Sequence, residues 1–242
     1  MKKEDIKIIT LSSVTSTNDY LKNLAKDNET YNIVVIAEEQ TNGKGTRGRS
    51  FISQKGGIYL SILLRTDLQG FDATAITPLT AVAVSDAIEQ ISGKKSQIKW
   101  VNDIYLDNKK VCGILCESVI SSDGKTNYII VGIGVNLFKP TANFDDSIKD
   151  IATYVFEEQN QNIREEFISL LLENFFKYYN ALPKKSFFQK YRERNLVIGK
   201  KVFINSQTQA TALDIDNDCR LIVELPDKTK KALSSGDVTV KL

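Results

Sequence analysis

Hydrophobic positions follow two different periods along this chain, and together they predict a mixed α/β protein. Short apolar runs typical of β-strands lie at residues 7–11, 33–38, 58–64, 98–100, 104–106, 111–119 and 128–136. Apolar residues at helical spacing predict helices over residues 16–27, 78–90, 165–182 and 187–194. Beyond residue 197 the pattern changes to short alternating strands with polar turns, which predicts a small all-β unit.

A length of 242 residues allows one large domain followed by a small one. We expect the large domain at residues 1–194, as a mixed β-sheet with flanking helices of the α/β or α+β class. Residues 195–242 are expected to form the second domain, a small β-barrel. Turn-forming residues between its predicted strands support this division.

The loop after the second predicted strand carries the most informative chemistry, since residues 40–49 read QTNGKGTRGR. Three glycines alternate there with the cationic side chains of Lys44, Arg47 and Arg49. Glycine lets the backbone approach a ligand closely, and backbone N–H groups between cations form a site for phosphate or another anion. A solvated basic hairpin tip is the simpler alternative, but so much glycine in a chain with 13 glycines favours an anion-binding loop.

Better-known phosphate loops do not fit this segment. A dinucleotide-binding fingerprint needs a helix at its third glycine, and residues 49–57 show no helical period. A Walker A loop would need an earlier glycine that this chain lacks. The sequence contains no histidine, which excludes the kinase catalytic loop and the Ser-His-Asp and Cys-His nucleophilic pairs.

Shorter motifs accompany the loop. Residues 16–18 (STN) stand where a strand passes into a helix, either as a helix cap or as hydrogen-bond partners of a small polar ring. Lys99 and Trp100 end a short strand before Asn102, either as a surface lysine beside a core tryptophan or as a fixed charge facing an anion. Glycines interrupt the apolar run 131–137, a pattern left by tight packing or by a ligand lying against the strand.

With the segment 110–117, these motifs occur in the order of the biotin protein ligase family, which the chain resembles over essentially its whole length. The resemblance implies a class II synthetase-like catalytic domain followed by an SH3-like domain. It implies that biotin and ATP, with Mg²⁺, give biotinyl-5′-AMP. Biotin would then pass to a lysine of a biotin carboxyl carrier domain, the expected protein partner.

The resemblance also implies roles for individual residues. Biotin-binding roles fall on Ser16, Thr17, Asn18, Gln40, Gly43, Lys44, Lys99, Gly113 and Gly132. ATP-binding roles fall on Lys44, Thr46, Arg47, Arg49, Phe51, Trp100, Asn102 and Asn136, the last facing the phosphates or Mg²⁺. Lys99, Arg47 and Arg49 are the expected catalytic residues, because fixed positive charges stabilise the charge that develops when a carboxylate attacks phosphorus. No residue is assigned as a metal ligand.

The chain departs from the family pattern in three places, one of which is Val101, where the family commonly has proline. The family's glycine loop usually carries arginine where this chain has Lys44 and Thr46, so Lys44 keeps a charge without the bidentate fork and Thr46 has no charge. Residues 16–18 lie too near the start for the helix-turn-helix domain of those family members that repress transcription. We therefore expect a short form without a DNA-binding function.

Composition adds few constraints. A net charge of +2 gives no general attraction to nucleic acid or membranes, and no apolar stretch reaches the roughly 18 residues of a membrane span. Three cysteines suit a reducing compartment, so we expect a cytoplasmic protein. The sequence leaves a homodimer open.

Two other functions remain open at this point. A lipoate or octanoate ligase would share the fold and also modify a carrier lysine. The polar set Ser16, Thr17 and Gln40 argues against it, because a fatty acyl chain needs an apolar slot. A non-catalytic ligand-binding or peptide-binding module is the other alternative, and the presence of both Lys99 and the cationic loop argues against that.

Overall fold

The computed structural model describes residues 6–26, 32–65, 71–120, 126–234 and 238–240. Its strands are β1 (Ile6–Val14), β2 (Asn32–Gln40), β3 (Ile58–Arg65), β4 (Gln97–Lys99), β5 (Asp103–Leu106), β6 (Lys109–Ile120), β7 (Thr126–Val135), β8 (Lys201–Ile204), β9 (Thr208–Ile215), β10 (Leu221–Glu224), β11 (Lys230–Leu233) and β12 (Val238–Val240). Its helices are α1 (Thr17–Lys26), α2 (Phe71–Thr74), α3 (Ile76–Ser92), α4 (Gln161–Asn180) and α5 (Phe188–Glu193).

The first seven strands form one mixed sheet in the order β1-β2-β3-β7-β6-β5-β4. β1 and β2 are parallel, whereas the other neighbouring pairs are antiparallel. Helices cover both faces: on one face Leu21 of α1 packs with Ile33 and Leu63, and on the other Val34 and Ile62 join the core beneath α3 and α4. This arrangement explains the continuous apolar runs of β2 and β3, because successive residues of a strand point to opposite faces.

The remaining strands form a second, antiparallel sheet in the order β11-β10-β9-β8-β12. Contacts beside β4 join the chain before this sheet, and the sheet's β9–β10 turn, to the first unit. The indole Nε1 of Trp100 donates to the carbonyl of Cys219 at 3.0 Å, and the amide of Leu196 donates to the carbonyl of Ile98 at 2.8 Å. The predicted mixed sheet, flanking helices and C-terminal β-unit are therefore confirmed.

Some helix boundaries differ from those predicted. α4 begins at Gln161 rather than near residue 165, because the side chain of Asn160 accepts hydrogen bonds from the amides of Asn162 and Ile163. α4 ends at Asn180 rather than at residue 182, and a short 3-10 turn at Leu182–Lys184 separates it from α5. Pro183 in that turn lacks the amide hydrogen that helix continuation requires.

The predicted division between residues 194 and 195 remains a prediction. Residues 194–196 still run alongside β4, through the amide of Ile98 to the carbonyl of Arg194 and the amide of Leu196 to the carbonyl of Ile98. The second sheet begins at Lys201. Within the described ranges, the helices lack the combination of length and hydrophobicity needed to cross a membrane.

Candidate functional site

A cavity of about 110 Å³ lies where β2 passes into the glycine-rich loop. Its walls come from the start of α1, from loop residues 44–51 and from the glycine-containing parts of β6 and β7. Most of the site residues predicted from sequence line it: Ser16, Thr17, Asn18, Gln40, Lys44, Thr46, Arg49, Phe51, Asn102, Gly113 and Gly132. The fold thus brings residues from distant parts of the chain to one small site.

The start of α1 forms the polar floor of the cavity. Ser16 caps the helix: its Oγ accepts from the amide of Asp19 at 3.4 Å, and its carbonyl accepts from the amide of Tyr20 at 2.9 Å. The cap predicted from sequence is confirmed. Because the helix begins there, Thr17 and Asn18 follow in its first turn and line the same cavity.

Thr17 is tied to the end of β2 through Gln40. The Oε1 of Gln40 accepts from the backbone amide of Thr17 at 2.9 Å and from its hydroxyl at 3.0 Å. The Nε2 of Gln40 donates to the Ser53 hydroxyl at 2.8 Å, which fixes the orientation of the amide. These contacts hold residues 40 and 53, which flank the hairpin formed by the glycine-rich loop, against α1.

Asn18 is held by a second set of contacts. The hydroxyl of Ser61, in the middle of β3, lies 2.6 Å from Asn18 Oδ1 and 2.7 Å from the Thr17 hydroxyl. Asn18 Nδ2 donates to the Glu117 carboxylate at 2.8 Å. Since the carboxylate only accepts, the amide nitrogen must face Glu117 and the amide oxygen must face Ser61.

The glycines of β6 and β7 make room for two of these side chains. A Cβ at Gly132 would collide with the Asn18 amide, and one at Gly134 would collide with the ring of Phe51. A Cβ at Gly113 would lie 3.0 Å from the same ring. Of the two explanations for the glycines in β7, tight packing is therefore observed. Phe51 covers β6 and β7 where they line the cavity.

Lys110 is a cation that β6 contributes to the main cavity. Its Nζ is 2.8 Å from Asp103 Oδ1 and 5.8 Å from the centroid of the Phe51 ring. Asp103 Oδ1 is buried, and the Lys110 ammonium is its charged partner. Lys110 and Asp103 both line the main cavity.

A second, smaller cavity of about 50 Å³ adjoins the first, and the three residues predicted to be catalytic line it. Arg47, Arg49 and Lys99 line it, together with Asp103, which faces both cavities. Three cations around one polar space suit an anion with several charges. Lys99, the expected biotin and phosphate contact, therefore stands beside the main cavity and not among the residues that line it.

Two residues predicted to contact the nucleotide have structural contacts. The Nδ2 of Asn136, a residue only 9% exposed, donates to the Thr153 carbonyl at 3.1 Å, and Asn136 lines neither cavity. Trp100 lines the smaller cavity but is 3% exposed, with its N–H donated to the Cys219 carbonyl. The nucleotide roles expected for Asn136 and Trp100 remain predictions, and these contacts give both residues a structural role as well.

The glycine-rich loop is fixed at several points. The carbonyl of Gly43 accepts from the amide of Phe51 at 2.8 Å, and the amide of Gly45 donates to the carbonyl of Arg49 at 2.7 Å. Gly43, a predicted biotin contact, lies outside the main cavity in this hairpin, where a Cβ would collide with the carbonyl of Phe51. Arg47 has φ 59° and its guanidinium lies 3.4 Å from Asn205 Oδ1 of the second sheet.

Sequence reasoning missed four side chains at this site. Ser61 is the one polar residue in the apolar run of β3, which is a usable signal. Lys110, Asp103 and Glu117 all lie in or next to motifs that were recognised, but nothing in a one-dimensional pattern says which strand residues face a cavity. Pairing of β5 with β6 is what brings Lys110 and Asp103 together.

The cysteines lie outside this chemistry. Burial raises the pKa of the Cys112 thiol, and burial also raises the pKa of Cys116 to about 12. Both groups are therefore neutral thiols near pH 7, and a thiol is a poor nucleophile. In this environment the two cysteines act as small apolar side chains.

Comparison with known proteins gives family matches to both parts of the chain. Residues 10–136 match the Biotin/lipoate A/B protein ligase family, and residues 197–241 match the Biotin protein ligase C terminal domain. A relative from Bacillus spizizenii, named bifunctional ligase/repressor BirA, is 34% identical over 92% of this chain and 70% of its own length. A biotin–[acetyl-CoA-carboxylase] ligase from Mycobacterium tuberculosis is 27% identical over 92% of this chain and 85% of its own length.

Solved structures agree with these matches. The biotin protein ligase from Aquifex aeolicus in complex with biotin and ATP superimposes with a TM-score of 0.76 and 26% identity, covering 97% of this chain and 98% of that one. The apo structure of the same protein gives a TM-score of 0.71, with 24% identity and the same coverage. The similarity therefore extends over both sheets.

Proposed function

Because the chain belongs to the biotin/lipoate A/B protein ligase family, we propose that it activates biotin with ATP and transfers it to a lysine of a biotin carboxyl carrier domain. The C-terminal match to biotin protein ligases and the names of the relatives support biotin over other acids. The observation that carries the proposal is a single cavity with a hydrogen-bonding floor on one side and cations on the other.

The floor suits a small ligand with several polar atoms. Thr17, Asn18 and Gln40 present amide and hydroxyl groups whose orientation is fixed by their neighbours. A site that can hydrogen-bond each polar atom of a cyclic urea favours that ligand over ligands that lack those atoms. The glycines of β6 and β7 leave space above this floor for the rest of the ligand.

In the first step, a carboxylate oxygen of biotin attacks the α-phosphorus of ATP, and the bond to pyrophosphate breaks. Negative charge collects on the phosphate oxygens, so the chief needs are alignment and charge stabilisation. Lys110 in the main cavity and Lys99, Arg47 and Arg49 in the adjoining one supply that charge. We assign the carboxylate contact to Lys110, because it lines the cavity where the ligand ring would lie.

Mg²⁺ accompanies ATP, and one carboxylate here fits it. Magnesium is held in such sites by one or two carboxylates together with substrate phosphates. Asp103 faces both cavities, and the carboxylate, whose Oδ1 is paired with the Lys110 ammonium at 2.8 Å, offers its oxygens as ligands. When bound beside Asp103, the ion would neutralise part of the phosphate charge.

In the second step, the amine of the carrier lysine attacks the carbonyl carbon of the mixed anhydride. The new amide bond forms, AMP leaves with the bonding electrons, and the nitrogen loses its extra proton. An open space of about 510 Å³ outside the loop, between Lys44, Arg49 and Glu117, gives a long side chain a route toward the site. The activated acyl group must be shielded from water until then, which suits a loop that covers it.

The test is isotope exchange between ATP and labelled pyrophosphate, with biotin, lipoate or octanoate as the acid. We expect exchange that depends on biotin and is negligible with the two fatty acids. Exchange with lipoate or octanoate but not with biotin would favour the related acyl ligases. No exchange with any acid would leave a binding module as the better account.

The proposal extends to the partners and the location. The carrier lysine belongs to the acetyl-CoA carboxylase class named for the relatives. A net charge of +2 supports little affinity for nucleic acid, and three free cysteines support a reducing, cytoplasmic location. A gel shift with duplex DNA at physiological salt tests the first point. Sedimentation with and without biotin and ATP tests for a homodimer.

A further inference from the structure

An ion pair fastens the glycine-rich loop to α1. The Nζ of Lys44 lies 2.7 Å from Asp19 Oδ1 and 2.6 Å from Asp19 Oδ2, so the ammonium is shared by both carboxylate oxygens. Lys44 lines the main cavity, whereas Asp19 does not. Asp19 therefore contacts the loop without reaching the space where the ligand would lie.

The same pair continues into the floor of the cavity. Lys22 lies 3.7 Å from Asp19 and 2.6 Å from Glu117 Oε1. The other oxygen of Glu117 accepts from Asn18 Nδ2 at 2.8 Å. Loop, helix and strand are thus connected through alternating charges that end on a residue of the polar floor.

Lys44 is well placed to move the loop as a unit. Residues Lys44 and Ser50 form an antiparallel bridge, and Gly45 and Arg49 are joined by a backbone hydrogen bond of 2.7 Å. The hairpin tip is held separately by the contact of Arg47 with Asn205. Holding Lys44 in place therefore also holds the segment that carries Thr46 and Arg49.

We propose that Asp19 is a positioning residue that holds the glycine-rich loop over the cavity through Lys44, and so slows the escape of the activated acyl-adenylate. The inference rests on the proposed function for the identity of the ligand, but not for the contact itself. Asp19 acts on retention of the intermediate and not on its formation. Its loss therefore releases the intermediate to water and to unrelated amines.

The expected change in the release rate follows from the solvent exposure of the Lys44–Asp19 pair. The side chains of Lys44 and Asp19 are 39% and 33% exposed, and ion pairs of this kind contribute little free energy. Loss of one corresponds to an increase of about two- to fivefold in the release rate. Such a pair is also screened by salt, since the Debye length falls from about 10 Å at 0.1 M to about 3 Å at 1 M.

The experiment measures dissociation of preformed labelled adenylate, chased with unlabelled biotin and ATP, in wild type and Asp19→Asn. We expect release to be about two- to fivefold faster in Asp19→Asn, with little change in the rate of adenylate formation. Asp19→Glu, which keeps the charge, should restore slow release. Glu157→Gln, which breaks an exposed ion pair with Lys139 elsewhere on the surface, is the control and should behave as wild type.

Salt dependence separates this role from a general loss of structure. Raising the salt concentration from about 0.1 M to about 1 M should accelerate release from wild type and change Asp19→Asn much less. Equal release rates in wild type and Asp19→Asn, or equal salt dependence in both, would overturn the proposal. Thermal unfolding of each variant shows whether the loss of an acidic residue from the first turn of α1 has weakened the helix itself.

Trypsin provides a measurement that needs no ligand. Lys44, Arg47 and Arg49 are cleavage sites within the loop, and cleavage there should be faster in Asp19→Asn than in wild type or Asp19→Glu. If wild type forms no adenylate, the proposed function fails, but unequal cleavage would still support the contact. Equal cleavage in all variants would refute the contact whatever the enzyme activity.

Discussion

At the scale of single residues, Ser61 shows how the floor of the cavity is organised. Its side chain is fully buried, and its hydroxyl lies within hydrogen-bonding distance of both Thr17 and Asn18. A hydroxyl has one proton, and Asn18 Oδ1 can only accept, so the proton goes to Asn18. Ser61 thereby fixes the Asn18 amide and lies against the Thr17 hydroxyl, although it is not among the residues that line the cavity.

We predict that Ser61→Ala raises the KM for biotin about five- to thirtyfold, because it leaves the buried Asn18 oxygen without a donor at a cost of about 1–2 kcal/mol. Steady-state exchange kinetics measure this. Ser85→Ala is the matched control, since Ser85 is equally buried and pairs with the Ser96 hydroxyl outside the site. Both variants should lose some thermal stability. A KM shift shared by both variants would contradict the role given to Ser61.

Lys110 and Lys99 allow a direct comparison of two candidate cations. Lys110 lines the main cavity, whereas Lys99 lines only the smaller one. We predict that Lys110→Met lowers the rate of adenylate formation by more than a hundredfold, because loss of one stabilising group at a developing charge costs about 2.7–4 kcal/mol. Lys99→Met should chiefly raise the KM for ATP. Single-turnover formation of adenylate at saturating ATP decides between them, and the reverse order would restore the assignment made from sequence.

At the scale of elements, a buried carboxylate joins three helical segments. Asp86 of α3 accepts from Tyr178 of α4 at 2.5 Å, from Lys190 of α5 at 2.8 Å and from Arg194 at 2.7 Å. Burial acts to raise the pKa of Asp86, but hydrogen bonds from Lys190, Tyr178 and Arg194 outweigh it and hold the pKa below its usual value. The carboxylate is therefore charged at neutral pH and stabilises the helix layer that covers the sheet.

We predict that Asp86→Asn lowers the free energy of unfolding by about 2–3 kcal/mol at pH 7. That is less than a fully buried pair would lose, because Lys190 is partly exposed. Since the folded-state pKa is depressed, this stabilisation is present above about pH 4 and lost as the pH falls through the folded-state pKa. Urea unfolding at several pH values measures the difference. Asp214→Asn, which breaks an exposed pair with Arg192, should cost about 0–1 kcal/mol, and an equal loss there would count against the claim.

The sequence predicts the strands and helices well where local signals are strong. The apolar runs of β2, β3, β6 and β7 and the cap at Ser16 needed only short-range patterns. α4 begins earlier than predicted because its first turn is polar and depends on the Asn160 cap. Lys110 and Glu117 could not be assigned to the site, because strand pairing and loop position decide which side chains face the cavity.

At the scale of the whole molecule, Trp100 connects the two sheets. It is the single tryptophan of the chain, it is 3% exposed, and its indole N–H donates to Cys219 in the second sheet. It also stands next to Lys99 at the smaller cavity. Trp100 therefore fixes the second sheet close to Lys99 and the other cations of the smaller cavity.

We predict that the two sheets unfold together. Urea transitions followed by tryptophan fluorescence, which reports on the junction, and by far-UV circular dichroism, which reports on the whole backbone, should coincide. A fluorescence change at lower urea than the main loss of secondary structure would show that the second sheet separates first. Trp100→Phe keeps an aromatic ring but removes the N–H, and should lower stability by about 1 kcal/mol.

The central claim is that this cavity activates biotin for transfer to a protein lysine. The most direct measurement is the intact mass of a purified carrier domain after incubation with the protein, biotin and ATP. We predict a gain of one biotinyl group on one lysine, absent when that lysine is replaced by arginine, when ATP is omitted, or when the protein is Lys110→Met. A mass gain with lipoate or octanoate but not with biotin, or one independent of ATP, would contradict the account.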